Sequence, residues 1–171
     1  MLKLLAPLTV TLLLSACAAY QPGLSATAHL VATTGNTVSG IVHFTQMGDK
    51  VLVTGDIKGL KPDAVHGFHI HEKGDCSSGD GVSAGGHFNP VGKPHGAHDQ
   101  AEHHAGDLPS LTSDGAGAAR LNFETGSISV GSGLADVVGR GLIVHRDPDD
   151  FRTQPTGNSG PRLACAAILK S

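Results

Sequence analysis

Short runs rich in Val, Ile, Leu and Thr, separated by Gly- and Pro-containing turns, fill this chain from residue 26 onward, and none extends into an apolar pattern at helical spacing. Runs of this kind form strands, because successive side chains of a strand point to opposite faces of a sheet. The candidate strands are Ala26–Thr33, Thr37–Gln46, Val51–Lys58, His66–Glu72, Gly117–Phe123, Ser127–Val130, Gly141–His145 and Leu163–Leu169. Thr34-Gly35-Asn36, Met47-Gly48-Asp49 and Asp114-Gly115 supply turns between several of them. The expected fold is all-β, a flattened Greek-key antiparallel barrel or sandwich of about eight strands with two long functional loops.

Two stretches break the rhythm. Lys73 to Ser113 is long and rich in Gly and His, and Arg146 to Arg162 is polar with three prolines. Loops of this length inside a compact domain are usually functional or disordered. These carry almost all the candidate metal ligands, so function is the better reading.

The ligands are six histidines and one aspartate: His69, His71, His87, His95, His104, Asp107 and His145. Imidazole is the commonest protein ligand for copper and zinc, and carboxylate is a good partner to it on zinc. Seven such groups exceed one tetrahedral site and suit two sites sharing a ligand, as in a binuclear copper–zinc centre. On a strand, residues two apart face the same way, about 6.6 Å apart, so His69 and His71 can reach one ion. His145 ends another strand and can approach from beside them. His87 lies between Gly85-Gly86, which permit close backbone approach, and Phe88-Asn89-Pro90, which stiffens the exit. With His95, His104 and Asp107 it makes a three-His, one-Asp set of the kind expected of a structural zinc. His29 and His43 lie within strands and are expected at the surface or satisfied in the sheet, and His66 is expected to bond backbone. His98 competes with His95, and His103 with His104; spacing leaves that choice open.

The first residues stand outside the fold. Met1-Leu2-Lys3 is a short positive start, Leu4 to Leu14 is apolar, and Leu14-Ser15-Ala16-Cys17 closes the run with small residues. The run is shorter than the roughly 20 apolar residues of a membrane span. It resembles a bacterial lipoprotein signal over residues 1–16, with Cys17 lipidated and residues 17–25 a tether to a membrane; a plain secretory signal or an uncleaved anchor is the alternative. Two or more acyl chains give stable anchoring where one does not. Residues 26–171 then form a single domain. Its two cysteines, Cys76 and Cys165, suggest a disulfide in an exported chain, stabilising the fold by about 4–5 kcal/mol through chain entropy. A net charge of −3 and the lack of a basic aromatic platform argue against nucleic acid as a partner.

Four segments together resemble the signature of copper–zinc superoxide dismutases: Gly67-Phe68-His69-Ile70-His71, Gly86-His87-Phe88-Asn89-Pro90, His104-Ala105-Gly106-Asp107, and Gly157 to Cys165 (GNSGPRLAC). The resemblance runs in order from Ala26 to Ser171. It implies that His69, His71, His87 and His145 bind copper, and that His87, His95, His104 and Asp107 bind zinc, with His87 bridging. It selects His95 over His98 and His104 over His103. It makes Asp149 the carboxylate linking His69 to His95, Asp150 an ordinary loop acid, and Arg162 the cation beside the open copper position. Cys76 comes only five residues after His71, and the loop from His145 to Arg162 is short. Both features look like the bacterial periplasmic branch, so neither the eukaryotic electrostatic loop nor its homodimer interface is carried over, and monomer and dimer both stay open.

The implied reaction converts two superoxide anions to oxygen and hydrogen peroxide, with His87 carrying a proton and Arg162 orienting the anion. A slightly acidic chain does not attract an anion by net charge, so a local positive funnel is expected. Arg162 is one member, with Lys73, Lys93, Arg146 and Arg152 as weaker candidates. The rival reading is a periplasmic lipoprotein that binds or delivers copper and zinc without turnover.

Overall fold

The computed structural model describes residues 23–171, and the proposed signal and lipidation site at Cys17 lie outside them. Nine strands and one 3-10 turn make up the described fold: β1 Ser25–Ala32, β2 Ser39–Met47, β3 Lys50–Lys58, β4 Val65–His66, β5 Phe68–His71, the turn Val82–Ala84, β6 Leu111–Thr112, β7 Ala119–Thr125, β8 Gly141–His145 and β9 Arg162–Lys170. Seven strands form one sheet in the order β5-β8-β9-β1-β2-β3-β7, and β4 pairs with β6 apart from it. Every strand pair is antiparallel. The chain crosses from β3 to β5 and again from β7 to β8, between opposite edges of the curled sheet, giving the Greek-key barrel expected of the strand pattern.

Alternation sets the inward face. Ala26, Ala28 and Leu30 of β1, Val42 and Phe44 of β2, and Val51, Val53 and Ile57 of β3 are buried, with polar or exposed neighbours between them. β5 and β8 differ: all their residues are buried, because the long loops cover their outer face. Phe68, Ile70, Leu142 and Val144 join the core, while His69 and His71 point the other way into those loops. A small second cluster of Ala84, Ile143 and Cys165 packs with Cys76 beneath the Cys76–Cys165 disulfide, whose Cα atoms are 5.8 Å apart.

Four strand expectations need correction. Ser127–Val130 is not a strand. Ile128 and Val130 are buried at alternate positions, but the Val130 N–H donates to the side chain of Gln46, and Ser129 meets only Asp136 in a single bridge. His66–Glu72 divides at Gly67, whose N–H donates to Asp147 O while its carbonyl accepts from His145 N. β6 lies inside the segment expected to be loop. The Gly117 strand starts two residues later, at Ala119, because Asp114 Oδ1 accepts from Ala116 N and Ala118 N and holds Gly117 in the turn.

Candidate metal centre

Two adjoining strands and two loops converge on one buried cluster. β5 contributes His69 and His71, and the paired β8 contributes His145 at its end, opposite Arg162. The loop after β5 returns along that strand: Phe88 N–H donates to Ile70 O, and Gly106 N–H to Phe88 O. This double return sets His87 beside His71 and Asp107 beside His69. All seven ligand candidates are buried.

Their ligand atoms sort into two groups, His69–His71–His87–His145 and His87–His95–His104–Asp107, each within 4.8 Å. His87 is common to both. Its Nδ1 lies 2.8 Å from Asp107 Oδ1, and its Nε2 is buried with no hydrogen-bond partner. His69 Nδ1 and His104 Nδ1 are likewise buried and unpartnered. Unpaired buried polar atoms are costly, and three in one cluster argue for a cation that satisfies them.

The donors around the four-histidine group leave the right nitrogens free. His71 donates Nδ1–H to Gly85 O at 2.9 Å, and His145 donates Nδ1–H to Gly160 O at 3.1 Å. Their Nε2 atoms then face each other 3.4 Å apart. Two lone pairs so placed repel, whereas nitrogens sharing one tetrahedral ion at about 2.05 Å lie about 3.3 Å apart. Burial holds these rings neutral: it depresses His69 to about 4, His145 to about 3, and His71 well below the usual histidine range. Neutral imidazole is the ligating form.

In the second group Asp107 Oδ1 lies 2.8, 3.0 and 3.5 Å from Nδ1 of His87, His95 and His104. Its other oxygen, Oδ2, accepts from the backbone N–H groups of Gly96 and His104. One oxygen is held by backbone and one is turned to three imidazole nitrogens, the arrangement of a monodentate ligand. Burial alone would raise the Asp107 carboxyl, but the bonds from His87, His95 and backbone hold it well below the carboxylate range. His95 behaves oppositely. Burial lowers it, yet Asp107 and Asp149 on its two nitrogens raise it to about 9.

Asp149 joins the groups. It accepts from His69 Nε2 at 2.6 Å through one oxygen and from His95 Nε2 at 3.0 Å through the other. Arg162, half-buried, donates to Gly81 O and Gly85 O of the disulfide loop, and its charge contributes to depressing His71 and His145.

The remaining histidines stand apart. His66 donates Nδ1–H to His145 O, His103 bonds Gln100 O and Ser127 Oγ, and His29 and His43 are exposed. His98 joins neither group. Asp150 is exposed and caps the turn over Arg152 and Thr153.

Two more residues shape the site: Gln154 carried no signal in the sequence, and Gly157 entered only as the first residue of the GNSGPRLAC segment. Gln154 grips the backbone of His95 at both ends, accepting from its N–H at 2.8 Å and donating to its carbonyl at 2.9 Å. Gly157, at φ +64°, passes so close to Asp149 and His95 that a methyl group there would overlap both side chains. A positive φ next to a crowded side chain is what only glycine tolerates.

The family model for copper/zinc superoxide dismutase (SODC) matches residues 38–168. The superoxide dismutase [Cu-Zn] of Paramecium bursaria Chlorella virus 1 is 40% identical over 144 residues, covering 81% of this chain and 76% of the viral protein. The crystal structure of the clock protein EA4 superposes with a TM-score of 0.78 at 37% identity, covering 88% of this chain and 96% of that one. With two four-ligand groups sharing one histidine, this chain belongs to the copper/zinc superoxide dismutase family.

Proposed function

We propose that His69, His71, His87 and His145 hold the copper ion and that His87, His95, His104 and Asp107 hold the zinc ion of this superoxide dismutase. The observation that carries the assignment is the division of His87: it is common to both groups, its Nδ1 lies beside Asp107 and its Nε2 is buried without a partner. A closed set with a carboxylate suits zinc, and an all-imidazole set suits copper.

Bound copper supplies one-electron exchange by alternating between two oxidation states, a chemistry zinc lacks. One superoxide is oxidised to oxygen; the other is reduced and takes two protons to leave as hydrogen peroxide. His87 Nε2 is placed to hold one of those protons while Nδ1 stays anchored beside Asp107. Asp149 fixes the rings of His69 and His95, so neither group can shift without the other. Arg162 orients the anion and favours charge on the reduced oxygens. Of the weaker funnel candidates, Arg146 is neutralised by two bonds to Asp147, and Lys93 is tied to Ala101 O beside Glu102.

The signal-like segment and Cys17 support export to the periplasm with lipid anchoring, and Ala18 after the cysteine favours the outer membrane. The deciding assay is superoxide dismutation by protein lacking residues 1–17, loaded with copper and zinc, beside a His145→Ala control. Copper-dependent turnover lost in the control supports the assignment; stoichiometric binding of both metals without turnover would make the chain a metal carrier.

A further inference from the structure

Three exposed apolar side chains lie at the end of the barrel where the described chain begins. Leu24 is 45% exposed, Met47 51% and Leu134 67%. They belong to one surface: Leu24 O accepts from Gln46 N, next to Met47, and Leu24 Cδ1 lies against Gly131 in the tight loop that carries Leu134. Lys50 pairs with Met47 across the β2–β3 hairpin, Lys170 pairs with Ala26, and Asp49 and Asp136 are nearby, so charges of both signs rim the apolar tip.

Arg162 lies at the other end. β1 runs antiparallel to β9, with Ala26 opposite Lys170 and Ala32 opposite Ala164, and Thr33 N–H donates to Leu163 O. The eight residues of β1, at about 3.3 Å each, put roughly 25 Å between the apolar tip and the Arg162 end. Val82, exposed on the disulfide loop, is at the Arg162 end, because Gly81 abuts Arg162 and Thr33.

We propose that the tip formed by Leu24, Met47 and Leu134 rests on a zwitterionic phospholipid surface, turning the Arg162 end and its substrate opening away from the membrane. The inference rests on lipidation at Cys17. Five residues separate Cys17 from Gly23, a reach of at most about 22 Å even when fully extended. A lipid held in the bilayer therefore keeps this end nearer the headgroups than the Arg162 end, which lies the length of β1 further off. Three exposed apolar side chains ringed by mixed charge match an interface of choline or ethanolamine phosphates over acyl chains. Superoxide would then be collected from the aqueous side rather than at the membrane.

The chain contains no Trp, so a substituted tryptophan is a single reporter. The test uses the full-length chain expressed in a lipoprotein-processing bacterium, as the Leu134→Trp and Val82→Trp variants, with intact mass read before reconstitution. Each is placed on phosphatidylcholine–phosphatidylethanolamine vesicles with and without bromine on the acyl chains, a short-range quencher. Brominated lipid should remove emission from the Leu134→Trp variant and leave the Val82→Trp variant unchanged. Equal quenching of both, or quenching of the Val82→Trp variant alone, in protein of lipidated mass overturns the orientation. A mature mass without acyl chains overturns the lipoprotein reading itself and the orientation with it.

Discussion

Arg162 and His71 donate to the same atom, the carbonyl oxygen of Gly85, from Nη2 at 2.6 Å and Nδ1 at 2.9 Å. A residue of the disulfide loop thus sets both the cation proposed to orient superoxide and a ring of the four-histidine group. Gly85 sits at φ +79°, and a Cβ there would press on Glu72 Oε2 at 2.7 Å, so the carbonyl's direction depends on glycine.

Removing Arg162 takes away both charge and orientation. Arg162→Ala should lower kcat/KM roughly 10- to 100-fold with metal content unchanged. Arg162→Lys should recover only part of that loss, because one ammonium cannot span Gly81 O and Gly85 O as the guanidinium fork does. Rates of the parent protein should fall as salt rises, and the Ala variant should show a flatter salt response. A flat response in the parent would remove the case for a funnel.

The disulfide closes a loop of 89 residues between Cys76 and Cys165, three positions after Arg162. The Cys76→Ser, Cys165→Ser double variant should lose about 4–5 kcal/mol of stability in denaturant titrations, by loop-closure entropy. Its activity should drop further than its copper content, since the loop carrying Gly81 O and Gly85 O is released from Arg162.

Asp149 bonds Nε2 of one histidine in each group, His69 and His95, and so ties the four-histidine group to the carboxylate-containing one. Asp149→Asn should weaken both metals about 10- to 100-fold, read by chelator competition. Loss confined to one metal would show that the two groups are held independently.

Gln154 clamps His95 by its backbone. Gln154→Ala should speed zinc release to a chromogenic chelator while leaving copper release unchanged, and Gln154→Glu, which keeps only the acceptor, should fall between. Equal acceleration of both metals would point to a general loosening of the loop.

The metal-free fold should be most stable near pH 6.5 to 7. Buried His69 and His145, at about 4 and 3, stay neutral while the unfolded chain takes up protons below 6.5, so stability falls as pH drops through that range. His95, at about 9, is protonated in the fold up to that pH, so its contribution is complete below 6.5 and lost as pH rises toward 9. At pH 7, zinc binding should release a proton from His95, as read by calorimetry in buffers of different ionisation heat.

Local chemistry made much of this legible from residue order. Alternating apolar residues marked the inward faces of β1, β2 and β3, and the His-x-His of β5 announced two side chains on one face, because a strand's period of two is a property of the backbone itself. The same alternation misled at Ser127–Val130, where burial is real but no strand lies alongside to accept a ladder. Spacing alone could not separate His95 from His98 or His104 from His103; the resemblance chose, and in the fold His95 and His104 are the ones brought to Asp107. The link from Asp149 to His69 spans 80 residues, and that from Gln154 to His95 spans 59. The sequence by itself determined which groups could ligate and which faces are buried, since both follow from residue type and local periodicity. Only the tertiary structure decided the partners across the loops, because those depend on where long, glycine-rich segments return against the sheet.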